Sequence, residues 1–336
     1  MNKKLIYISF LLAFTFLFPA HAQETSEQAF NKGIEYGRKG DYDAAVAQFS
    51  KAIALNPGYS NAYNNRGTLY IYKGDIDLGI SDLTKAIEYD PKNADAYFNR
   101  AIAYASKQRV ADAIADLTKA LEFRPDSAKL YNRRGALYIH NGNLTSALAD
   151  LDKALALDPQ ISEAYGSRAV INITKGQLES ALKDLDAAIK LNPRYAEAYN
   201  NRGAILESKN NLDAAIADFT QAIKYSSGYA QAYSNRGFAF YEKGDYNAAI
   251  ADCTQAITIN PEYSDAYYNR SLAYYSIDEF DKAVTDCTRA LMIKPNKEAY
   301  AEFTKFNPKR RTSDTRDIRE QILKLFREKL NLSQEK

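Results

Sequence analysis

Side chains able to do chemistry are few in this sequence. Past residue 22 it holds one histidine, His140, and two cysteines, Cys253 and Cys287. Histidine-cluster zinc sites, Cys/His zinc fingers and two-histidine proton transfer are thereby excluded. A Ser-His-Asp triad would need that single imidazole and a nucleophile elbow that is absent. His140 reads as a lone solvated side chain. No glycine run makes a phosphate-cradling or dinucleotide loop, so the expectation is no enzyme, no metal and no cofactor. Charge argues against nucleic acid as well. Lys3 and Lys4 lie in the first 22 residues, and the remainder balances 42 basic against 42 acidic side chains, where a nucleic-acid binder needs a basic excess. With 46% hydrophobic and 26% charged residues the composition is that of a soluble globular protein.

What recurs is polar and evenly spaced. Arginine stands at Arg66, Arg100, Arg134, Arg168, Arg202, Arg236 and Arg270, and aspartate at Asp82, Asp116, Asp150, Asp184, Asp218, Asp252 and Asp286, each series stepping by 34 residues. Asparagine stands at Asn31, Asn65, Asn99, Asn201, Asn235 and Asn269, with Arg133 and Ser167 in the two remaining places. A cation and an anion at constant separation predict one structural ion pair within each repeat; a basic strip for an acidic ligand would be neutralised by the matching aspartates. Asparagine is a poor helix former, so six at one slot need a reason. Two stay open: a structural hydrogen bond to a neighbouring loop, or a carboxamide offering donor and acceptor to an extended peptide backbone.

Such series require a scaffold of the same period. Pro57, Pro91, Pro125, Pro159 and Pro193 are 34 apart, and Pro261 and Pro295 resume the series after Ser227 takes one slot. Counting from Ser26, eight units follow without a gap: 26–59, 60–93, 94–127, 128–161, 162–195, 196–229, 230–263 and 264–297. Small residues and tyrosines fix positions 4, 8 and 11 of each unit as one helical stripe, and positions 20, 24 and 27 as another. Between them sits a Lys-Gly-Asp-like turn, as at Lys39-Gly40-Asp41, where glycine supplies the positive φ that ends a helix. Each unit is thus a helix A, a tight turn and an antiparallel helix B closed by proline.

Gly33, Tyr36, Gly40, Tyr42, Ala45, Phe49, Ala52 and Pro57 resemble, slot for slot, the consensus of the tetratricopeptide repeat. The resemblance implies an all-α protein, an α-solenoid coiled as a right-handed superhelix, with helix A of every unit lining a concave groove that binds a protein or peptide. Positions 2, 5, 6, 9, 12 and 13 should line it. The groove residues expected on this basis are Asn65, Asn99, Lys129, Arg133, Asn201, Asn235, Phe238, Tyr241, Tyr268, Asn269 and Tyr275, joined by Phe30 and Phe98. Ligand side chains should anchor near repeats seven and eight. The asparagine series is similar to the ladder of O-linked N-acetylglucosamine transferase, which implies a sequence-tolerant peptide groove. Lys129, Arg133 and Asn99 are similar to the last members of the clamp that holds chaperone C-termini, but Asn64 and Thr68 stand where its first pair requires Lys and Asn.

Departures are local. Asn172 replaces an aromatic residue, Asn210 the turn glycine and Ser227 a proline, so 225–228 is expected to be the loosest joint. Cys253 and Cys287 both hold position 24, a core slot, and equivalent atoms of stacked units should lie too far apart for a disulfide; two buried free thiols are expected. After residue 297 the period breaks. Residues 298–306 read as a capping helix, 307–313 with Lys309-Arg310-Arg311 as a basic linker, and 314–332 as an amphipathic helix that folds back on the last repeat or docks on a partner. At the other end, Lys3 and Lys4, the apolar residues 5–18 and Ala20-His21-Ala22 have the form of a secretory signal cleaved after Ala22, the apolar run being short for a membrane span. The expectation is an exported, periplasmic or secreted, non-enzymatic scaffold without stable membrane insertion. The alternative is an accessory or assembly subunit of a cell-envelope complex, binding through its convex face or its C-terminal helix.

Overall fold

The computed structural model describes residues 24–294. The expected signal segment, the last residues of the eighth repeat, the capping helix, the linker and the C-terminal helix lie outside them. Sixteen α-helices fill the described residues, and no strand occurs among them. They belong to two compact units, one through Pro125 and one from Asp126. The first holds α1 (Ser26–Arg38), α2 (Tyr42–Leu55), α3 (Ser60–Lys73), α4 (Ile76–Tyr89), α5 (Ala94–Ser106) and α6 (Val110–Phe123). The second holds α7 (Ala128–His140), α8 (Leu144–Leu157), α9 (Ser162–Thr174), α10 (Leu178–Leu191), α11 (Ala196–Ser208), α12 (Leu212–Tyr225), α13 (Ala230–Glu242), α14 (Tyr246–Ile259), α15 (Ser264–Ser276) and α16 (Phe280–Ile293). Odd-numbered helices are the A helices and even-numbered ones the B helices.

The turn inside each hairpin depends on one residue, at position 15. All eight positive-φ residues among those described occupy it: Gly40, Gly74, Gly142, Gly176 and Gly244, and three with side chains, Gln108 (φ 59°), Asn210 (φ 60°) and Asp278 (φ 61°). Helix B then starts on a side-chain cap where one is available, as when Asp41 Oδ1 accepts the Ala44 N–H at 3.1 Å.

Packing within a hairpin couples position 8 to position 24. A Cβ on Gly33 would sit 2.6 Å from the Phe49 ring, and one on Gly203 2.8 Å from Phe219. Beside Leu117 and Leu185 position 8 is Ala101 and Ala169, and beside Cys287 it is Ser271, also buried, while Leu83, Leu151 and Cys253 face Gly67, Gly135 and Gly237. The helices approach because a large side chain on B fills the notch left on A. Cys253 and Cys287 are buried free thiols, and burial pushes both pKa values up to about 12.

The joint at 225–228, expected to be the loosest, closes as its neighbours do. Ser226 donates to Ala222 O at 2.9 Å and Tyr229 to Ser226 O at 3.1 Å, while beside Pro193 the matching bonds are Asn192 to Ala188 at 2.8 Å and Tyr195 to Asn192 at 3.1 Å. Neither bond uses the amide of position 32, so exchanging proline for Ser227 costs the turn no hydrogen bond.

Candidate functional site

The A helices carry two polar rows, and the structure gives each a distinct partner. At position 7, Arg66 donates from Nε to Asp82 Oδ2 at 2.7 Å and from Nη2 to Asp82 Oδ1 at 2.9 Å. The same fork joins Arg100 to Asp116, Arg134 to Asp150, Arg168 to Asp184, Arg202 to Asp218, Arg236 to Asp252 and Arg270 to Asp286. The aspartates are buried. Hydrogen bonding to Asp218 holds Arg202 above the ordinary guanidinium range despite the burial that opposes charge. Tyrosines at positions 4 and 11 flank the guanidinium, which lies 5.7 Å from the Tyr63 ring centre and 5.9 Å from that of Tyr70. In the fifth repeat Asn172, in the place of the second tyrosine, donates to Asp184 Oδ2 at 3.2 Å instead.

The remaining guanidinium nitrogen reaches into the preceding repeat. Nη1 of Arg66 donates to Ser50 Oγ at 2.9 Å, Arg100 to Thr84 at 3.0 Å, Arg168 to Asp152 at 2.8 Å, Arg202 to Asp186 at 2.7 Å, Arg236 to Thr220 at 3.0 Å and Arg270 to Thr254 at 2.9 Å. Each of these six arginines therefore ties its own helix B and the one before it. Sequence reasoning missed this half of the arrangement, although position 25 carries a serine, threonine or aspartate in every repeat and so supplies the acceptor.

The asparagine row also points backwards along the stack. Within the first unit Asn99 Nδ2 donates to Asn64 Oδ1 at 3.0 Å, and Asn64 Nδ2 to Asn65 Oδ1 at 3.0 Å. In the second, Asn235 Nδ2 donates to Asn200 Oδ1 at 3.0 Å, Asn200 is close to Asn201 at 3.5 Å, and Asn269 Nδ2 donates to Ser234 Oγ at 3.1 Å. In these three repeats position 6 thus binds position 5 of the preceding one, and Asn99, Asn235 and Asn269 each spend a donor on the scaffold. Lys129 and Arg133 line a pocket of about 380 Å³ with Asn132, Asp158, Glu163 and Ser167. In the first unit a second pocket, of about 310 Å³, includes Gly37, Arg38, Asn65 and Thr68.

The aromatic groove residues are tied to their own hairpins. Phe98 is buried, and Phe30 packs on Phe49 and Tyr59 with centroids 5.5 and 5.0 Å away, so both serve packing rather than an open wall. Phe238 stacks on Tyr241 at 6.0 Å, Tyr241 leans on Tyr246 at 5.9 Å, and Tyr275 meets Phe280 edge-on at 5.5 Å. Tyr268 is half-buried on α15. His140 is exposed at the end of α7. One residue of this face drew no notice in the sequence. Glu207 occupies position 12, which is Ile71, Ile139 and Ile173 elsewhere, and burial, aided by Glu242, pushes its carboxyl up to about 7.

Models of the tetratricopeptide repeat match residues 64–128, 128–161, 230–263 and 264–297, and a TPR-repeat model matches 33–74, 171–210 and 205–244. The chain belongs to the tetratricopeptide repeat family. An uncharacterised protein of Methanocaldococcus jannaschii is 48% identical over 40 residues, which are 12% of this chain; the match spans 46% of that relative's length. Among solved structures, a tetratricopeptide repeat protein from Parabacteroides merdae aligns over 74% of this chain and 98% of its own, with 22% identity and a TM-score of 0.58. One chain of the APC/C hetero-tetramer Cut9–Hcn1 aligns over 91% of this chain and 57% of its own, with 16% identity and a TM-score of 0.63. PilW, a type IV pilus biogenesis factor, aligns over 62% of this chain and 96% of its own, with 23% identity and a TM-score of 0.55. At these identities the likeness is one of fold. The tetratricopeptide fold supports a protein-interaction scaffold. Among the described residues no helix is long and apolar enough to cross a membrane, and no three His, Cys, Asp or Glu side chains gather as metal ligands would.

Proposed function

We infer that this tetratricopeptide repeat protein holds an extended peptide segment of a partner protein against the face formed by its A helices. The observation that carries the reading is the pocket on α7 and α9, lined by helix-A positions 2, 5, 6 and 9 of the fourth repeat. Polar side chains that keep hydrogen-bonding capacity at a concave surface suit a peptide main chain better than a flat apolar partner. Residues 1–22 have the form of an export signal, so the scaffold acts outside the cytoplasm, and N-terminal sequencing of the mature protein should begin at Gln23. To test the binding face, a photo-crosslinking amino acid is placed at Arg133 on α7 or at Lys153, exposed on α8. Crosslinks from the first position and not the second support the reading. The reverse pattern would transfer function to the opposite face and to the role of an envelope-complex subunit.

A further inference from the structure

The row of inter-repeat bonds made by the asparagines has a gap in the second unit. Asn200 and Ser234, at position 5, each take a hydrogen bond from the asparagine at position 6 of the next repeat. Asn132 is the position-5 residue of the fourth repeat, but the next repeat offers Ser167, whose side chain is too short to replace a carboxamide. Oδ1 of Asn132 is consequently buried with no hydrogen-bond partner. A buried acceptor without a donor is costly and uncommon in a folded protein. The unmatched atom belongs to a side chain that lines the pocket of about 380 Å³. Arg133, next to it in sequence and in the same pocket, makes no ion pair among the described residues.

We propose that this gap reads the main chain of the ligand: the half-buried Asn132 side chain turns its unmatched oxygen into the pocket, where one residue of an extended peptide donates its N–H to Oδ1 and accepts, at its C=O, a hydrogen bond from the Arg133 guanidinium. The inference rests on the peptide-binding reading above and deepens it. A residue in an extended strand presents its N–H and C=O along one edge, the pairing that two antiparallel strands exchange. The incoming N–H takes the place of the missing asparagine Nδ2. Pocket charge argues for main chain over a carboxylate. Lys129 and Arg133 are matched by Asp158 and Glu163, so the site favours neither an acidic nor a basic ligand. The ligand is therefore selected by backbone shape and by a free amide, with its side chains directed elsewhere.

The test uses the full chain and dodecapeptides selected from a random library, the best being resynthesised with fluorescein and followed by anisotropy. Ser167→Asn supplies the absent donor. Its melting temperature should rise while affinity falls at least tenfold. On wild type, N-methylation of one particular backbone amide of the peptide should also cost at least tenfold, and Asn132→Leu should bind as weakly as Ser167→Asn. Full affinity in Ser167→Asn, or a methylation series with no sensitive position, would overturn the site while leaving the groove in force. If wild type selects no peptide at all, the peptide-binding reading fails and the site falls with it.

Discussion

Arg202 shows how one side chain can be structural three times over: it forks onto Asp218, reaches Asp186 on the previous helix B, and lies 5.6 Å from the Tyr199 ring centre. Satisfying a guanidinium so completely removes it from any binding role, and the same holds for Arg66, Arg100, Arg168, Arg236 and Arg270. Glu207 is the opposite case. Its carboxyl sits where three other repeats have isoleucine, and burial pushes it up to about 7 from an ordinary value of 4.5. The folded protein therefore holds this proton more tightly than the unfolded chain does. Stability is unaffected below about 4.5 and declines as pH rises toward about 7, after which the loss is complete. Allowing for solvent screening of a group that is only partly buried, the loss is about 1–2 kcal/mol. Glu207→Gln keeps the shape without the charge. Melting of the two proteins should differ little at pH 4.5, with the variant gaining through neutrality to a plateau near pH 8. A gap constant across that range would show that the carboxyl does not titrate between these limits.

At the scale of the hairpin, the turn residue is the most exposed weakness. Gln108, Asn210 and Asp278 hold a left-handed backbone that L side chains adopt at a cost, whereas five repeats use glycine there. Gln108→Gly should stabilise the first unit by about 0.5–1 kcal/mol, read as a shift in urea midpoint, because relief of strain outweighs the added entropy of the unfolded chain. An equal or lower midpoint would mean that Gln108 makes compensating contacts. The helices themselves were legible from spacing, since positions 4, 8, 11, 20, 24 and 27 repeat without a slip. The Arg–Asp geometry was legible too, because both residues belong to one hairpin and turn length fixes which positions face each other. Contacts between hairpins were not. Whether position 7 meets position 25 of the previous repeat, or position 6 meets position 5, depends on the stagger of adjacent hairpins, which no local pattern encodes. For that reason the asparagines stayed open between two roles, and the unmatched Oδ1 of Asn132 could not be foreseen from Ser167. Phe30 and Phe98 misled for a different reason: slot number placed them on a wall, but Phe30 packs on Phe49 and Tyr59 of its own repeat and Phe98 is buried.

Within each compact unit the guanidinium bonds between repeats obey one arithmetic, so a complete repeat can be removed without loss of register. Deleting 196–229 would bring Arg236 opposite Asp186, an acceptor equivalent to Thr220, and would leave Asn235 facing Gly166 without its bond. Helical ellipticity per residue should stay unchanged and melting should fall by a few degrees, as expected for an array whose stability sums over neighbours. Deletion of half a unit should abolish the cooperative transition. If the full-unit deletion also lost cooperative melting, the repeats would not be interchangeable parts. The seven guanidinium forks have one more use. Each Nε proton is held by a buried carboxylate and shielded from solvent exchange, so each arginine should give its own slowly exchanging resonance in a nitrogen-edited spectrum. One probe per repeat, from the second to the eighth, is a built-in set of reporters through which opening of the stack could be watched from one station to the next.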